Sequence, residues 1–300
     1  MATTSDQRIV IVTGAGGHIG RAVCRLLKAN ESNFLAVDVD ADAADGVVAC
    51  DLRSQANVSR LFAGGPVRVV IHLAAILPSA FQRDPFAGVD VNLTACFELL
   101  GQAVKAGVKR FVFASSMSVY GSLHAGKSAT EEDPAAPDNP YGASKRAVEV
   151  VGETLARGGQ VEFVSLRIAR VIGPGIKKTA SPWRSEIFER SGGRDVIQIP
   201  FAPEARLSLV HAEDVAQMLI TLADAPRTRS NIYNTPAEQW EVRHLKEVIE
   251  EAGGRRVDLT AGGNHGGPIC DGSRFAQEFR FQLRGLRERL SARESGIEGR

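Results

Sequence analysis

Short apolar segments rich in β-branched and aromatic residues alternate, over the first half of the chain, with longer segments whose apolar residues have helical spacing. Each short segment is apolar at consecutive positions, which is typical of parallel strands buried on both faces. Strands that alternate with helices predict an α/β fold with a doubly wound parallel sheet. Six strands are predicted here: Arg8–Thr13, Phe34–Val39, Val47–Ala49, Val67–Leu73, Arg110–Ser115 and Val161–Arg167.

The pattern changes after the sixth predicted strand. A Gly-Pro-Gly sequence at residues 173–175 interrupts the chain, and the following segment is rich in polar, aromatic and basic residues. The glycine-rich residues 262–267 predict a surface loop. We expect a doubly wound domain from residues 1–168 and 209–235, a smaller C-terminal α/β substrate lobe from 169–208 and 236–295, and a protease-site remnant at 296–300.

A glycine-rich turn, TGAGGHIG, separates the first predicted strand from the first helix. Gly14 permits the turn, Gly17 lets the backbone approach a phosphate, and Gly20 allows close packing of helix and strand. The free N–H groups at the helix N-terminus attract a pyrophosphate. This strand, turn and helix predict a Rossmann fold that binds a dinucleotide.

Acidic residues close the second predicted strand. Asp38 lies about twenty residues beyond the glycines, where a carboxylate accepts hydrogen bonds from ribose hydroxyls and repels a 2′-phosphate. This position favours NAD over NADP. Asp40 and Asp42 compete for the role, but both lie beyond the apolar part of the strand.

The overall composition excludes several classes of protein. Hydrophobic residues make up 44% and charged residues 24%, and the formal net charge is +1. Such a small charge does not attract nucleic acid or an anionic membrane. No apolar segment is long enough to span a bilayer, and the first residues lack the apolar core of a signal peptide. We expect a cytoplasmic protein with a small-molecule substrate.

The sequence YGASK carries the candidate chemistry. Tyr141 and Lys145 lie four residues apart, on one face of the helix that Pro140 is expected to open. A nearby ammonium lowers the pKa of a phenol, which makes it a better base. Ser116 follows the fifth predicted strand, at the sheet edge where doubly wound proteins bind ligands.

Several motifs in a fixed order resemble one family over nearly the whole chain. They are TGAGGHIG, Asp38, Asp51-Leu52, HLAA at His72–Ala75, SSMSVYG at Ser115–Gly121, PYGASK, LRIARVIGPG and VHAEDVA at Val210–Ala216. The chain is identified as a member of the extended short-chain dehydrogenase/reductases, the group called NAD-dependent epimerase/dehydratase.

The resemblance implies roles for individual residues. Tyr141 is the general acid/base, Ser116 holds the reacting oxygen, and Lys145 holds the nicotinamide ribose and lowers the tyrosine pKa. His72 is expected to be structural, and Asn92 to be a buried structural amide. The implied NAD contacts are Gly14, Gly17, His18, Ile19, Gly20, Asp38, Asp51, Leu52, Leu73, Ala74, Ala75, Lys145 and Ile168.

Departures from the family pattern narrow the chemistry. Dehydratases of the family carry an Asp-Glu pair after the catalytic hydroxyl residue, and here those positions are Met117 and Ser118. Members that bind nucleotide diphosphates commonly place an arginine where this chain has Leu207, with Arg206 one residue away. Because arginine binds diphosphates through paired hydrogen bonds, its absence argues for a smaller substrate.

A further departure places Arg170 where the family commonly has asparagine. The arginine either binds a substrate carboxylate or forms a salt bridge between lobes. The candidate substrate residues are Ser79, Ser118, Arg170 and Arg206.

Three functions fit these residues. We expect an NAD-dependent dehydrogenase that oxidises a secondary hydroxyl of a small sugar or sugar-acid-like molecule. The alternative is a nucleotide-sugar 4-epimerase that retains its NAD. The two are distinguished by whether NADH accumulates, since only the dehydrogenase releases it. A more remote alternative is a non-catalytic NAD sensor. By analogy with the family, the predicted helices Phe86–Lys105 and Tyr141–Arg157 form a homodimer interface.

Overall fold

The computed structural model describes residues 8–40, 46–122, 127–176, 181–189, 196–253 and 255–294. Its helices are α1 (His18–Ala29), α2 (Gln55–Leu61), α3 (Pro78–Arg83), α4 (Pro85–Val89), α5 (Cys96–Lys105), α6 (Pro140–Arg157), α7 (Trp183–Glu186), α8 (Ala212–Asp224), α9 (Val242–Gly253), α10 (Ser273–Phe279) and α11 (Leu286–Glu294). Its strands are β1 (Ile9–Thr13), β2 (Phe34–Asp38), β3 (Val48–Ala49), β4 (Val67–His72), β5 (Arg110–Ser116), β6 (Ser128–Ala129), β7 (Glu162–Ile168), β8 (Arg170–Ile172), β9 (Val196–His211), β10 (Ile232–Asn234), β11 (Glu238–Glu241), β12 (Arg256–Gly266) and β13 (Ile269–Cys270).

The main sheet has seven strands in the order β10-β7-β5-β4-β1-β2-β3. All its pairs are parallel. Alternate side chains of β1 enter two different cores, because Val10 and Val12 pack with α1 and α8 while Ile11 packs with α2 and α5. Burial on both faces explains the consecutive apolar residues, and the predicted doubly wound fold is confirmed.

A smaller sheet organises the C-terminal lobe. Its strands follow the order β11-β9-β12, and β8 also pairs with β9. The register places Arg170 of β8 beside Leu209 of β9. A third core lies between this sheet and α9, with Trp183, Leu245 and Ile249 among its buried residues. The lobe is thus attached to the main sheet through β8 and β9.

One sequence-based expectation about the elements is wrong, and one predicted helix contains an irregular turn. The helix predicted over Phe86–Lys105 consists of α4 and α5, which are joined without a break by a π-helical turn at Asp90–Ala95. The glycine-rich residues predicted as a loop belong to β12, because pairing with β9 extends this strand as far as Gly266. In the described part of the chain, no helix combines the length and the apolar character needed to cross a membrane.

Candidate functional site

The catalytic candidates lie at the carboxyl end of β5. That strand ends at Ser116, and its register partner on β7 is Ile168. Helix α6 starts beside it, capped by Asn139, whose Oδ1 accepts a 2.8 Å hydrogen bond from the N–H of Gly142. Proline in the first turn is preorganised for this helix start. Tyr141 follows directly, so the helix opens with its candidate acid/base at the end of the sheet.

Tyr141 is 9% exposed and lies close to Ser116. Burial raises the pKa of Tyr141 to about 12, and the nearby Ser116 side chain acts in the opposite direction. We expected Lys145 to lower the pKa of Tyr141, but in the protein alone this pKa is raised. Burial disfavours the charged phenolate, and lowering the pKa requires further positive charge beside it.

Lys145 is held beneath Tyr141 at the same end of the sheet. Its Nζ donates a 2.8 Å hydrogen bond to the carbonyl oxygen of Ala114 and lies 5.7 Å from the Tyr141 ring centroid. Burial lowers the pKa of Lys145 to about 8, while Cys96 and Glu149 act to raise it. The backbone of β5 thus positions both the serine and the lysine.

A buried ion pair behind Lys145 was missed in the sequence. Glu149 accepts hydrogen bonds from Ser115 Oγ at 2.6 Å, from Arg167 Nε at 3.0 Å and from Arg167 Nη2 at 2.8 Å. Arg167 Nη1 also donates to the Tyr120 hydroxyl at 2.9 Å. The spacing could have indicated this position, since Glu149 lies four residues beyond Lys145 and therefore on the same helix face as Tyr141 and Lys145. The network ties α6 to β5 and β7.

The structural assignments of His72 and Asn92 agree with their surroundings. His72 is 1% exposed, and its Nδ1 lies 2.7 Å from Thr13 Oγ1. Burial and the nearby Lys145 lower the pKa of His72 to about 3, so it stays neutral. Asn92 Oδ1 accepts from the N–H of Ile76 at 2.8 Å, and its Nδ2 donates to the Ile76 carbonyl at 3.0 Å. Both side chains hold strand and helix ends in place.

The glycine-rich turn packs tightly against the main sheet. Gly14 has a φ of +69°, and a Cβ there would lie 2.6 Å from the nitrogen of Ala74. A Cβ on Gly20 would lie 2.1 Å from the carbonyl oxygen of Gly14. Larger residues are therefore excluded at both positions, as the sequence argument requires. The turn brings the start of α1 against the ends of β1 and β4.

The start of α1 suits a pyrophosphate. Its N-cap, Gly17, makes no side-chain capping bond, and among the described residues the first turn has no acidic side chain. The N–H groups of His18 and Ile19 therefore meet an anion without competition from a carboxylate. Asp38 lies beside the turn, where its Oδ2 accepts from the Gly16 N–H at 3.0 Å. The residues present thus fit an NAD cofactor.

The other candidate cofactor residues surround this turn. Asp51 is half-buried and accepts hydrogen bonds from Arg53 Nε at 3.0 Å and Arg53 Nη2 at 2.7 Å, which lower its pKa. The N–H groups of Leu73 and Ala74 donate to the Thr13 carbonyl at 3.1 Å and to Thr13 Oγ1 at 3.4 Å. Leu52 is 8% exposed and Ala75 is half-buried. Asp40 is exposed near Asp38, whereas Asp42 lies outside the described residues, as do residues 296–300.

Two histidines beside the turn carry buried nitrogens with no hydrogen-bond partner among the described residues: Nε2 of His18 and Nε2 of His211. Both lie close to Gly173, since a Cβ there would be 2.9 Å from the former and 3.2 Å from the latter. Burial and then Arg21 lower the pKa of His18 to about 4, and burial and then Arg289 lower the pKa of His211 to about 3. The sequence did not indicate this pairing.

The four candidate substrate residues lie in different environments. Ser118 lies nearest to the catalytic candidates, with its Oγ 3.2 Å from Ser116 Oγ. Ser79 is exposed on α3. Arg170 is half-buried on β8, with its Cζ 4.8 Å from the Phe201 ring centroid. Arg206 is exposed on β9 and donates to Gln239 Oε1 at 2.9 Å.

Comparison with known proteins adds independent findings. Residues 10–235 match the model of the NAD dependent epimerase/dehydratase family. The chain is similar to UDP-glucose 4-epimerase 2 of Oryza sativa subsp. japonica, with 35% identity over 295 residues, 85% of this chain and 72% of that protein. It is also similar to D-erythronate dehydrogenase of Haemophilus influenzae, with 27% identity over 265 residues and 83% of each chain.

The first three curated relatives are covered to between 50% and 83% of their own lengths. Among solved structures, the UDP-glucose 4-epimerase of Thermus thermophilus, crystallised as a complex with NAD, superposes with a TM-score of 0.82. That match has 24% identity and covers 97% of this chain and 99% of the other. At this identity it supports the fold.

Proposed function

This chain belongs to the NAD-dependent epimerase/dehydratase family and is an NAD-dependent enzyme, and on that premise we propose a dehydrogenase that oxidises a secondary hydroxyl of a small sugar or sugar-acid-like substrate. Ser116, Tyr141 and Lys145 are its proposed catalytic residues. The observation that carries the proposal is the placement of Lys145, which is anchored on Ala114 of the strand that ends at Ser116 and has its Nζ 5.7 Å from the Tyr141 ring centroid.

The residues around the glycine-rich turn are the proposed cofactor site. The first turn of α1 is proposed to hold the pyrophosphate of NAD, Asp38 the adenosine ribose, and Lys145 the nicotinamide ribose. When bound, NAD supplies a hydride acceptor and a positive ring charge. A positive charge beside a phenol favours the phenolate. The charge of the bound ring would therefore oppose the effect of burial on the pKa of Tyr141, so that Tyr141 can act as a base.

The proposed proton transfer runs through Tyr141. Its phenolate oxygen takes the proton of the substrate hydroxyl, and Ser116 donates a hydrogen bond to the same substrate oxygen as it becomes a carbonyl. Lys145 is anchored on the carbonyl oxygen of Ala114 beside Tyr141, where its proposed role is to hold the nicotinamide ribose. The backbone of β5 holds Ser116 and Lys145 at fixed positions, so the acid/base and the oxygen-binding group are preorganised.

A small substrate is favoured by the sequence around β9. Leu207 and Ser208, which replace the arginine and the acidic residue of diphosphate-binding members, are 2% and 1% exposed. Arg206 donates to Gln239, a residue of β11. These positions offer no arginine for the paired hydrogen bonds that a diphosphate calls for. The similarity to D-erythronate dehydrogenase, an enzyme named for a sugar acid, supports the same substrate class.

The second candidate is a nucleotide-sugar 4-epimerase with retained NAD. It is supported by the 35% identity to a UDP-glucose 4-epimerase and uses the same three catalytic residues. The two candidates differ in the fate of the hydride. A dehydrogenase releases NADH, whereas an epimerase returns the hydride to the substrate and keeps its cofactor.

The deciding experiment mixes the purified protein with NAD and a panel of sugars and sugar acids, and follows NADH by absorbance. We expect NADH to accumulate, and we expect Tyr141→Phe to lower kcat by about 10²- to 10⁴-fold because the base is lost. Tyr120→Phe is the matched control, since it removes another buried phenol hydroxyl whose partners are structural. Retained NAD without NADH release would instead identify the epimerase.

A further inference from the structure

One half-buried arginine of the small lobe has no carboxylate partner among the described residues. Arg170 lies on β8, half-buried, with its guanidinium carbon 4.8 Å from the ring centroid of Phe201, which is itself 4% exposed. A guanidinium over an aromatic ring is held by cation–π attraction. This contact fixes the side chain without using its N–H donors.

Four described arginines are more deeply buried than Arg170: three of them are paired with carboxylates, and the fourth, Arg255, donates to the carbonyl oxygen of Glu186 at 2.9 Å. Arg110, Arg167 and Arg289 are 1%, 2% and 3% exposed. Each donates to a carboxylate: to Glu162, Glu149 and Asp214 respectively. Within the described ranges, Arg170 forms no hydrogen bond or ion pair with a carboxylate. The salt bridge between lobes that the sequence left open is therefore absent from the described residues.

Among the described residues, the charged group that acts on Arg170 is another arginine. Arg184 of α7 places its Nη1 3.5 Å from the carbonyl oxygen of Val171, the residue next to Arg170. Burial, and then repulsion from Arg184, lower the pKa of Arg170 to about 10. A partly desolvated guanidinium that is repelled by a second one is unfavourable. An anion bound at Arg170 would remove this cost.

Arg170 lies close to the proposed reaction centre. Ile168 of β7 is the register partner of Ser116, and Arg170 follows it by two residues. Neighbouring strands are about 4.8 Å apart and two residues span at most about 7 Å, so the two Cα atoms are at most about 12 Å apart. A small molecule held at Arg170 is within reach of the Ser116 hydroxyl.

We propose that Arg170 is a specificity-determining residue that binds the carboxylate of a sugar-acid substrate while a hydroxyl of the same molecule reaches Ser116 and Tyr141. A planar carboxylate matches the fork of guanidinium N–H donors and accepts two parallel hydrogen bonds. The positive charge of Arg184 adds to the attraction. This inference rests on the proposed dehydrogenase and names its substrate class.

The test uses the full chain with sugar acids, the corresponding neutral sugars and the corresponding sugar phosphates. The variants are R170M, which removes the charge, and R170K, which keeps the charge but loses the fork. R256Q is the matched control, because Arg256 is an exposed arginine of the same lobe that pairs with Asp258. Steady-state NADH production gives KM and kcat for each combination.

We expect wild-type protein to prefer the acids, and R170M to raise KM for acids roughly 10- to 100-fold with a smaller change in kcat. The KM of R170K for acids should lie between those of wild type and R170M, and the KM of R256Q should match that of wild type. We also expect R170M to unfold at the same or a higher denaturant concentration, since an unpaired charge is removed. Equal losses for acids and neutral sugars, a marked destabilisation of R170M, or a preference for sugar phosphates overturns the assignment.

Binding without turnover separates this inference from the proposed function. Calorimetry measures the affinity of a sugar acid for NAD-loaded Y141F and Y141F/R170M. Binding to Y141F that weakens in the double variant supports the carboxylate site even if no substrate produces NADH. Equal binding by both proteins overturns the site even if Tyr141 proves to be the base.

Discussion

Asp38 is the single side chain that is expected to set the choice of cofactor. Its two oxygens accept hydrogen bonds from the N–H groups of Gly16 and Asp40, at 3.0 and 3.1 Å, which aim the carboxylate along the glycine-rich turn. A negative charge held there repels the 2′-phosphate of NADP. We expect Asp38→Ser to raise KM for NAD about 10- to 100-fold and to reduce the discrimination against NADP.

The measurement for this prediction is KM and kcat with each cofactor at a saturating substrate concentration. Asp40→Ser is the matched control, because its carboxylate is exposed two residues further along. A D38S variant with an unchanged ratio of NAD to NADP activity would contradict the role assigned to the carboxylate.

The chemistry of single residues was predictable where it depended on local sequence. The spacing of Tyr141 and Lys145 on one helix, and the position of Ser116 at a strand end, follow from backbone periodicity alone. The spacing places Glu149 on the same helix face, but its partners Ser115 and Arg167 lie on two other elements and could not be identified from a local pattern. The same holds for the meeting of His18 and His211 at Gly173.

Secondary-structure elements were predicted well where burial on both faces dictates the residue pattern. The six predicted strands correspond to β1, β2, β3, β4, β5 and β7, with ends that differ by at most one residue. The π-helical turn inside the predicted helix Phe86–Lys105 was missed; it contains Asn92, whose amide bonds to the backbone of Ile76. The full length of strand β9 was not predicted, because Pro200 and Pro203 are unfavourable within a strand. Pairing with neighbouring strands nevertheless keeps the whole segment extended.

Helices α4 and α6 carry the exposed apolar surface that bears on the predicted homodimer. Phe86 is 88% exposed and Val89 44% on α4, and Val150 and Val151 of α6 are 45% and 39% exposed. Exposed apolar side chains grouped on neighbouring helices mark an association surface. The homodimer stays a prediction, and these four residues are its expected contact.

We expect the protein to elute as a dimer from size-exclusion chromatography with light scattering, and the double variant Phe86→Asp/Val150→Asp to elute as a folded monomer. Two charges in an apolar interface lose hydration without a partner, which opposes association. Val48→Asp is the matched control, since Val48 is 52% exposed on the edge strand β3. A wild-type monomer at micromolar concentration would contradict the prediction.

The two lobes are joined by contacts that include the histidine pair. His18 belongs to the glycine-rich turn, His211 ends β9, and Gly173 follows β8, so the proposed cofactor site meets the smaller sheet there. His211 Nδ1 accepts from the N–H of Glu213 at 3.3 Å, which places the proton of the neutral ring on Nε2. Burial favours the neutral form of both rings, and neither Nε2 has a hydrogen-bond partner in the described residues.

Acid should therefore destabilise the whole molecule through three buried histidines. The folded-state pKa values are about 4 for His18 and about 3 for His72 and His211, against 6.5 for the unfolded chain. Because the folded values are lower, the unfolded chain binds more protons below pH 6.5, and the free energy of unfolding falls as the pH drops from about 6.5 towards 4. Each histidine contributes at most about 1.4 kcal/mol per pH unit.

Urea denaturation at several pH values between 7 and 4 measures this slope. We expect His211→Gln to reduce it by up to about 1.4 kcal/mol per pH unit, because the glutamine oxygen still accepts from the N–H of Glu213 but does not bind a proton. His244→Gln, at an exposed position on α9, should follow the wild-type profile. An H211Q variant that loses stability with falling pH as steeply as wild type would contradict this prediction. His211 would then not contribute to the pH dependence of the free energy of unfolding.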